Sequence, residues 1–177
     1  MKKLFLTAIV AVFGLTVAQA QETSFGVMGG LTMASVSLGD ADSESETGFH
    51  IGLLADLGIT ESFSIQPEAT YSMVDELSVI NLNVIGKYYV TEGLNIQLGP
   101  QIGLLGGDAA DAWEALIGED DFTKLNLQLA AGLGYDFTEN FFAQARYGFQ
   151  LNDHYTGDVD GADLKLNTFN LSVGYKF

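Results

Sequence analysis

Thr168-Phe169-Asn170-Leu171-Ser172-Val173-Gly174-Tyr175-Lys176-Phe177 ends the chain in strict alternation. Phe169, Leu171, Val173, Tyr175 and Phe177 share one parity, and Thr168, Asn170, Ser172, Gly174 and Lys176 the other. Successive side chains of a strand point to opposite faces, so this period of two reads as a strand with one apolar face. The polar parity carries small, hydroxyl and amide side chains. It is poor in the Lys and Glu of a face open to bulk water.

The pattern repeats towards the N-terminus. Residues 141–150 set Phe141, Ala143, Ala145, Tyr147 and Phe149 against Gln144, Arg146, Gly148 and Gln150. Residues 125–135 set four leucines and Tyr135 against Asn126, Gln128, Gly132 and Gly134. Residues 94–104 set Leu94, Ile96, Leu98, Ile102 and Leu104 against Asn95, Gln97, Gly99, Gln101 and Gly103. Four noisier segments fall at 24–36, 48–59, 62–74 and 78–90, with Phe49, Ile51, Leu53, Ala55, Leu57 and Ile59 on one parity of the second. Segments of about ten to twelve residues, at roughly 3.3 Å each and tilted about 45°, match the apolar band of a membrane barrel, about 25 Å tall. Aromatic residues gather near segment ends (Phe25, Phe63, Tyr71, Tyr88, Tyr135, Phe137, Phe141, Phe177), as interfacial girdles do. Lipid cannot satisfy a free sheet edge, so the strands must close on themselves. The fold expected is all-β, an eight-stranded antiparallel transmembrane up-and-down barrel.

Connections alternate in length. Thr60-Glu61-Ser62, Thr91-Glu92-Gly93 and Thr138-Glu139-Asn140 are short Thr-Glu-X turns, and longer loops are expected at 37–47, 75–77, 106–123 and 152–164. This is the plan of short periplasmic turns and longer, here acidic, extracellular loops. Pro67 and Pro100 fall mid-strand, where each removes a ladder donor, and bulges are expected there.

Before the first strand, Lys2 and Lys3 precede an uncharged, mostly apolar run over 4–17, and Ala18-Gln19-Ala20 supplies small residues for cleavage. Residues 1–20 therefore read as a cleaved secretory signal peptide, too short for the roughly 20 residues of a membrane-spanning helix. Residues 21–177 form the barrel domain.

Charge narrows the function. There are 23 acidic against 7 basic residues, a net charge of −16, while 47% of residues are hydrophobic. Such a surface repels phosphate, which excludes nucleic acid as a partner. Without Cys there is no disulfide and no thiol nucleophile. Most acids lie in the long loops. Asp158, Asp160 and Asp163, spaced around Gly161, resemble a fragment of a calcium loop without its final Glu, and Asp40, Asp42 and Glu44 are similar. No cofactor is expected, and at most weak divalent-cation binding that bridges loops to outer-membrane lipid. In the third loop, Asp108 is expected to cap a short helix, with Trp113, Leu116 and Ile117 on one face and Gly118 at its end. That face reads either as a docking surface for a partner or as a rim helix with Trp113 at the membrane interface.

Taking the polar parity as inward, the lumen receives Asp56, Glu68 and Asp136 with Lys87, Arg146 and Lys176. Segments three and seven lie opposite each other, so Glu68 and Arg146 are placed to meet. An eight-strand interior is only wide enough for side chains to fill it, which predicts a charge-compensated plug rather than an open pore. Of the two histidines, His50 takes the inward parity, and His154 follows Asp153 in the fourth loop as a candidate general base. No nucleophile motif accompanies it, so no enzyme is expected.

Ile65-Gln66-Pro67-Glu68-Ala69-Thr70-Tyr71-Ser72, Leu82-Asn83-Val84-Ile85-Gly86-Lys87-Tyr88-Tyr89-Val90, Gly93-Leu94 and Gly99-Pro100 resemble strands three to five of a known family. It is the outer-membrane β-barrel domain often called PorT-like, common in Bacteroidetes-type Gram-negative envelopes and similar in plan to OmpA and OmpX barrels. The resemblance implies a monomeric eight-stranded barrel. It also implies that Tyr175 and Phe177 form the C-terminal signal read by the barrel assembly machinery. The function expected is a structural, envelope-integrity role or surface interaction with an extracellular partner through the acidic loops. A narrow cation-preferring, porin-like channel is the alternative.

Overall fold

The computed structural model describes residues 22–38, 44–118, 121–154 and 164–177. The expected signal peptide at residues 1–20, and Asp40, Asp42, Asp158, Asp160 and Asp163, lie outside the described residues. Eight strands run β1 (Glu22–Leu38), β2 (Glu44–Thr60), β3 (Phe63–Val74), β4 (Leu77–Tyr89), β5 (Leu94–Gly106), β6 (Leu125–Asp136), β7 (Phe141–Gln150) and β8 (Leu164–Lys176). Each pairs antiparallel with its neighbours in sequence, and β8 closes on β1. One helix, α1 (Asp108–Ile117), stands between β5 and β6.

The burial pattern is inside out relative to a protein in water. Phe25, Leu53 and Val173 point outwards with 60%, 64% and 65% of their surface exposed, whereas Lys87 and Arg146 are 1% and 4% exposed inside. A continuous apolar exterior around a polar interior is stable where the surrounding solvent is itself apolar. Among the described residues no helix is long and apolar enough to cross a membrane. At the end with the short turns, the rings of Tyr135 and Phe137, Phe141 and Tyr175, and Tyr175 and Phe177 pack edge-on at 5.1, 4.9 and 5.4 Å. These two groups of rings are of the kind that sits at headgroup depth in a membrane barrel.

The Thr of the Thr-Glu-X turns has a local task. Thr138 Oγ1 accepts the backbone N–H groups of Asn140 and Phe141 at 3.2 and 2.9 Å, and Thr60 Oγ1 accepts that of Ser62 at 3.3 Å. Threonine hydroxyls tie tight turns this way.

Three expectations change. The β3–β4 connection is no long loop but a tight turn at Asp75 and Glu76, with Asp75 at φ 51. Glu44 and Glu46 are not in a loop, because β2 keeps pairing with Val36 and Ala34 of β1 beyond the apolar band. No bulge forms at either proline. Pro67 and Pro100 flank Val84 in one row across β3, β4 and β5; Pro67 pairs with Val84 and Pro100 with Leu129 in unbroken register. A strand residue aims its N–H at one neighbour only, so each proline interrupts the ladder on one side and leaves the pairing on the other intact. The register shift that does occur lies at Gly58 and Thr60, beside the β2–β3 turn.

Candidate functional site

The lumen is stacked in layers, and strand parity decides the occupants of each. Nearest the short turns lies an ionic layer. Lys87 Nζ is 2.8 Å from Asp56 Oδ2, and Lys176 Nζ lies 3.0 Å from Asp136 Oδ2 and 3.5 Å from Asp56 Oδ2. Tyr89 donates its hydroxyl to Asp136 at 2.9 Å. Below this layer opens a vestibule of about 490 Å³ lined by Asp56, Tyr89, Asp136, Glu139 and Lys176.

Gln66 links this layer to the next. Its Oε1 accepts from Lys87 at 3.2 Å, and its Nε2 donates to Glu68 at 2.6 Å. Arg146 reaches from β7 across to β3, where Nη2 donates to Glu68 Oε1 and Oε2 at 2.8 and 2.9 Å. Asn83 Nδ2 adds a third donor to Glu68 at 2.9 Å. The six charged residues named from parity thus form two compensated groups, one around Asp56 and one around Glu68. The Arg146–Glu68 pair crosses the bore from β7 to β3, whereas the Asp56 group links strands two apart around the wall.

Gln66, Asn83, Thr32 and Ser172 take part in the lumen network without having been singled out from sequence. Inward parity was the available signal, but neutral residues on it are too numerous to rank. Ser172 Oγ lies 2.9 Å from His50 Nε2, and His50 Nδ1 lies 2.9 Å from Thr32 Oγ1, which donates to Asn170 Oδ1 at 2.7 Å. Because the one hydroxyl proton of Thr32 goes to Asn170, His50 carries its proton on Nδ1 and accepts from Ser172 on Nε2. The spacing is that of a nucleophile and its base. Yet the orienting group is a neutral threonine, and the adjoining cavity, about 30 Å³, is far too small for an acyl or peptide substrate.

Above that cavity the polar lining stops. Ala34, Val74, Leu77, Val79, Leu105 and Leu166 turn inwards at the loop end and form an apolar cluster completed by Ala110 of α1, with Ala109 and Trp113 packed on it. The helix is a cap on the barrel mouth. Gly107 opens it at φ 92, where the Cβ of any other residue would lie 2.3 Å from the Glu76 carbonyl oxygen. Gly107 is itself the N-cap, and no side chain caps the helix. Asp108 is therefore not the cap but the first helical residue, where its charge still suits the helix dipole. Gly118 ends the helix, its N–H donating to the Glu114 carbonyl at 2.8 Å.

The expected apolar face also changes. Leu116 is 84% exposed, and the packed face is Ala109, Ala110 and Trp113, whose small alanines let the backbone approach the mouth. Trp113 lies over the lumen against Phe122, with ring centroids 6.5 Å apart, and not at the lipid interface. Lys124 clips the helix to the foot of β6, 2.8 Å from both Asp111 and Glu114, whose carboxylates hold its ammonium well above the ordinary lysine pKa.

His154 is not an exposed base. It is fully buried; its Nδ1 faces the Thr123 carbonyl at 2.7 Å and its ring packs on Phe122, while Asp153 accepts the Leu164 N–H. Burial lowers its pKa despite the opposing pull of the Thr123 carbonyl. Outside the cap, Glu44, Glu46, Asp75 and Glu76 border a groove of about 340 Å³ walled by Trp113 and floored by Val36, Val74 and Leu77. Among the described residues no group of three His, Asp or Glu side chains is placed to hold a metal ion.

Residues 5–177 match the family described as outer membrane protein beta-barrel domain. Among solved structures, the attachment invasion locus protein Ail of Yersinia pestis, in complex with the heparin analogue sucrose octasulfate, is 15% identical. It covers 89% of this chain and 100% of its own, with a TM-score of 0.52. Neisserial surface protein A is 18% identical over 88% of this chain and 98% of its own, with a TM-score of 0.48. The N-terminal β-barrel domain of OprF from Pseudomonas aeruginosa is 20% identical over 88% and 100%, with a TM-score of 0.44. No curated protein sequence matches the chain.

Proposed function

The chain belongs to the outer membrane protein beta-barrel domain family, and on that premise we propose that it is a closed, non-conducting outer-membrane barrel that works through its acidic loop rim. The observation that carries this reading is the double closure of the lumen. The Arg146–Glu68 bridge blocks the bore at mid-height, and α1 with Trp113 seals the loop end with apolar side chains. Neither closure holds an open polar path, so transport is not the task of the interior.

Work on the outside then falls to the rim, which we place on the extracellular side. Its groove joins four carboxylates to an apolar floor and an indole wall, a chemistry suited to cationic partners with aliphatic stems. One structural relative was solved with a polyanion; the carboxylates here would repel such a ligand. Within the family we place the chain with PorT-like barrels, on the proline-bearing third and fifth strands. We take it to be a monomer seated in outer-membrane lipid, inserted by the assembly machinery through the strand that ends in Tyr175 and Phe177. It is not an enzyme in this reading, and divalent ions act only as weak bridges between rim carboxylates and anionic lipid.

Two measurements test the proposal. In planar bilayers the purified chain should give no steady conductance steps. Steady cation-selective steps would instead establish the narrow-channel alternative. On intact cells, a Glu44→Gln, Glu46→Gln, Asp75→Asn, Glu76→Gln variant that still inserts should lose most binding of a fluorescent oligolysine. Unchanged binding would remove the rim from the function.

A further inference from the structure

β1 and β2 are each 17 residues long, whereas the other strands run 10–13. Their mutual pairing continues to Val36 opposite Glu44. On its other side β2 loses its partner earlier, because the pairing with β3 ends at Phe49 opposite Met73. Carried further, that register would set Thr47 opposite Asp75 and Glu46 opposite Glu76, where the chain is already turning into β4. Residues 44–47 are all exposed and form a bare sheet edge above that turn. Among the described residues, no hydrogen bond from outside the β1–β2 ladder reaches their backbone.

The opposite edge of the same sheet is covered. β8 outruns β7, whose pairing with it ends at Gly148 opposite Thr168. There the His154 N–H donates to the Leu164 carbonyl at 3.0 Å, Asp153 Oδ1 accepts the Leu164 N–H at 2.8 Å, and Gln150 Oε1 accepts the Leu166 N–H. The β8–β1–β2 sheet is thus closed on one side and open on the other. An open edge offers alternate N–H and C=O groups to a strand that can lie beside it.

The flanking side chains select that strand. Glu44 and Glu46 share the inward parity of His50 and border the groove of Asp75, Glu76 and Trp113. A second copy of β2 would set Glu against Glu, and like charges directly opposite are unfavourable. Lysine or arginine at alternate positions would instead pair with both glutamates and lay its alkyl stem on the apolar floor.

We infer that residues 44–47 are a docking edge for an extended basic segment of a partner polypeptide. The segment adds to β2 in the place that β3 holds lower down, and its alternate cationic side chains enter the acidic groove. The inference rests on the rim reading above and adds to it that recognition runs through backbone pairing as well as charge.

The test uses the full chain in nanodiscs and a short peptide of alternating lysine and threonine, beside the same peptide methylated at every backbone nitrogen. The two carry equal charge, but the methylated form cannot donate to a sheet edge. It is expected to bind at least tenfold more weakly. With the unmethylated peptide bound, alternate amides of residues 44–47 should exchange hydrogen at least tenfold more slowly. Equal binding of the two peptides, or unchanged exchange at 44–47, would overturn strand addition while leaving the rim reading in place. Unchanged peptide binding in the Glu44→Gln, Glu46→Gln, Asp75→Asn, Glu76→Gln variant would overturn both.

Discussion

Arg146 on β7 and Glu68 on β3 meet across the full width of the barrel, with one guanidinium nitrogen donating to both carboxylate oxygens at 2.8 and 2.9 Å. Both side chains are buried, 4% and 0% exposed. The pair spans the bore and ties opposite walls together. A buried pair of this kind need not stabilise relative to an apolar replacement, but breaking it from one side is costly.

Arg146→Met is therefore expected to lower stability by about 3–5 kcal/mol, because Glu68 is left charged and buried with only the Gln66 and Asn83 donors. The double variant Arg146→Met, Glu68→Gln should recover most of the loss. Urea unfolding in lipid vesicles, read by heat-modified gel migration, checks both. A single variant as stable as the parent would show that the bridge does not hold the walls.

Gly174 of β8 lies under the ring of Phe142, and a Cβ there would sit 2.2 Å from the ring edge. Phe142 is itself 3% exposed and packs with Met28 and Leu54, and a Cβ at Gly174 would also lie 2.7 Å from the Val27 carbonyl oxygen. Gly174→Ala should cost roughly 1–3 kcal/mol by overpacking. Adding Phe142→Leu should relieve part of that cost, a coupling that a double-mutant cycle measures.

The buried imidazole of His154 gives a pH dependence with a definite sign. Burial sets its folded pKa below the ordinary value of 6.5. The unfolded chain therefore binds the proton more readily, and protonation favours unfolding. The stabilising contribution of neutral His154 is fully present above pH 6.5 and is lost as pH falls through the window below it. Unfolding midpoints between pH 8 and 5 should fall on the acid side, and His154→Gln should flatten that fall.

Trp113 fastens α1 over the mouth from the cap side only, so its removal should loosen the helix locally. In Trp113→Ala, hydrogen exchange of the α1 amides should accelerate at least tenfold while the strand amides keep their protection. A uniform rise across the barrel would mean that the cap is part of the global fold.

Thr138 accepts two backbone N–H groups in its turn, and Thr60 accepts one at longer range. Thr138→Val should cost about 1 kcal/mol, and Thr60→Val less. Equal effects in urea midpoints would separate the turn threonines from these bonds.

Much of this molecule was legible in its sequence. Alternation with a period of two assigns every residue from Phe169 to Phe177 to a face, and eight such segments with no sheet edge tolerated in lipid leave closure as the only solution. Parity likewise placed Asp56, Glu68, Lys87, Asp136, Arg146 and Lys176 inside, because strand geometry leaves an inward residue no other direction.

What parity does not carry is position along and around the bore. Strand stagger decides that Lys176 meets Asp136 and Asp56 while Arg146 meets Glu68, and that Ser172, His50 and Thr32 fall in one chain. The cap was hidden for a related reason. Helical spacing groups Leu116 with Trp113, but only the ring of inward apolar residues at the mouth decides that Ala109, Ala110 and Trp113 face the protein and Leu116 the solvent. Local periodicity is a property of a few neighbouring residues, so sequence alone determined the strands, their faces and the closed barrel. The ion pairs of the lumen and the cap depend on residues brought together from separate strands, and only the tertiary structure decided them.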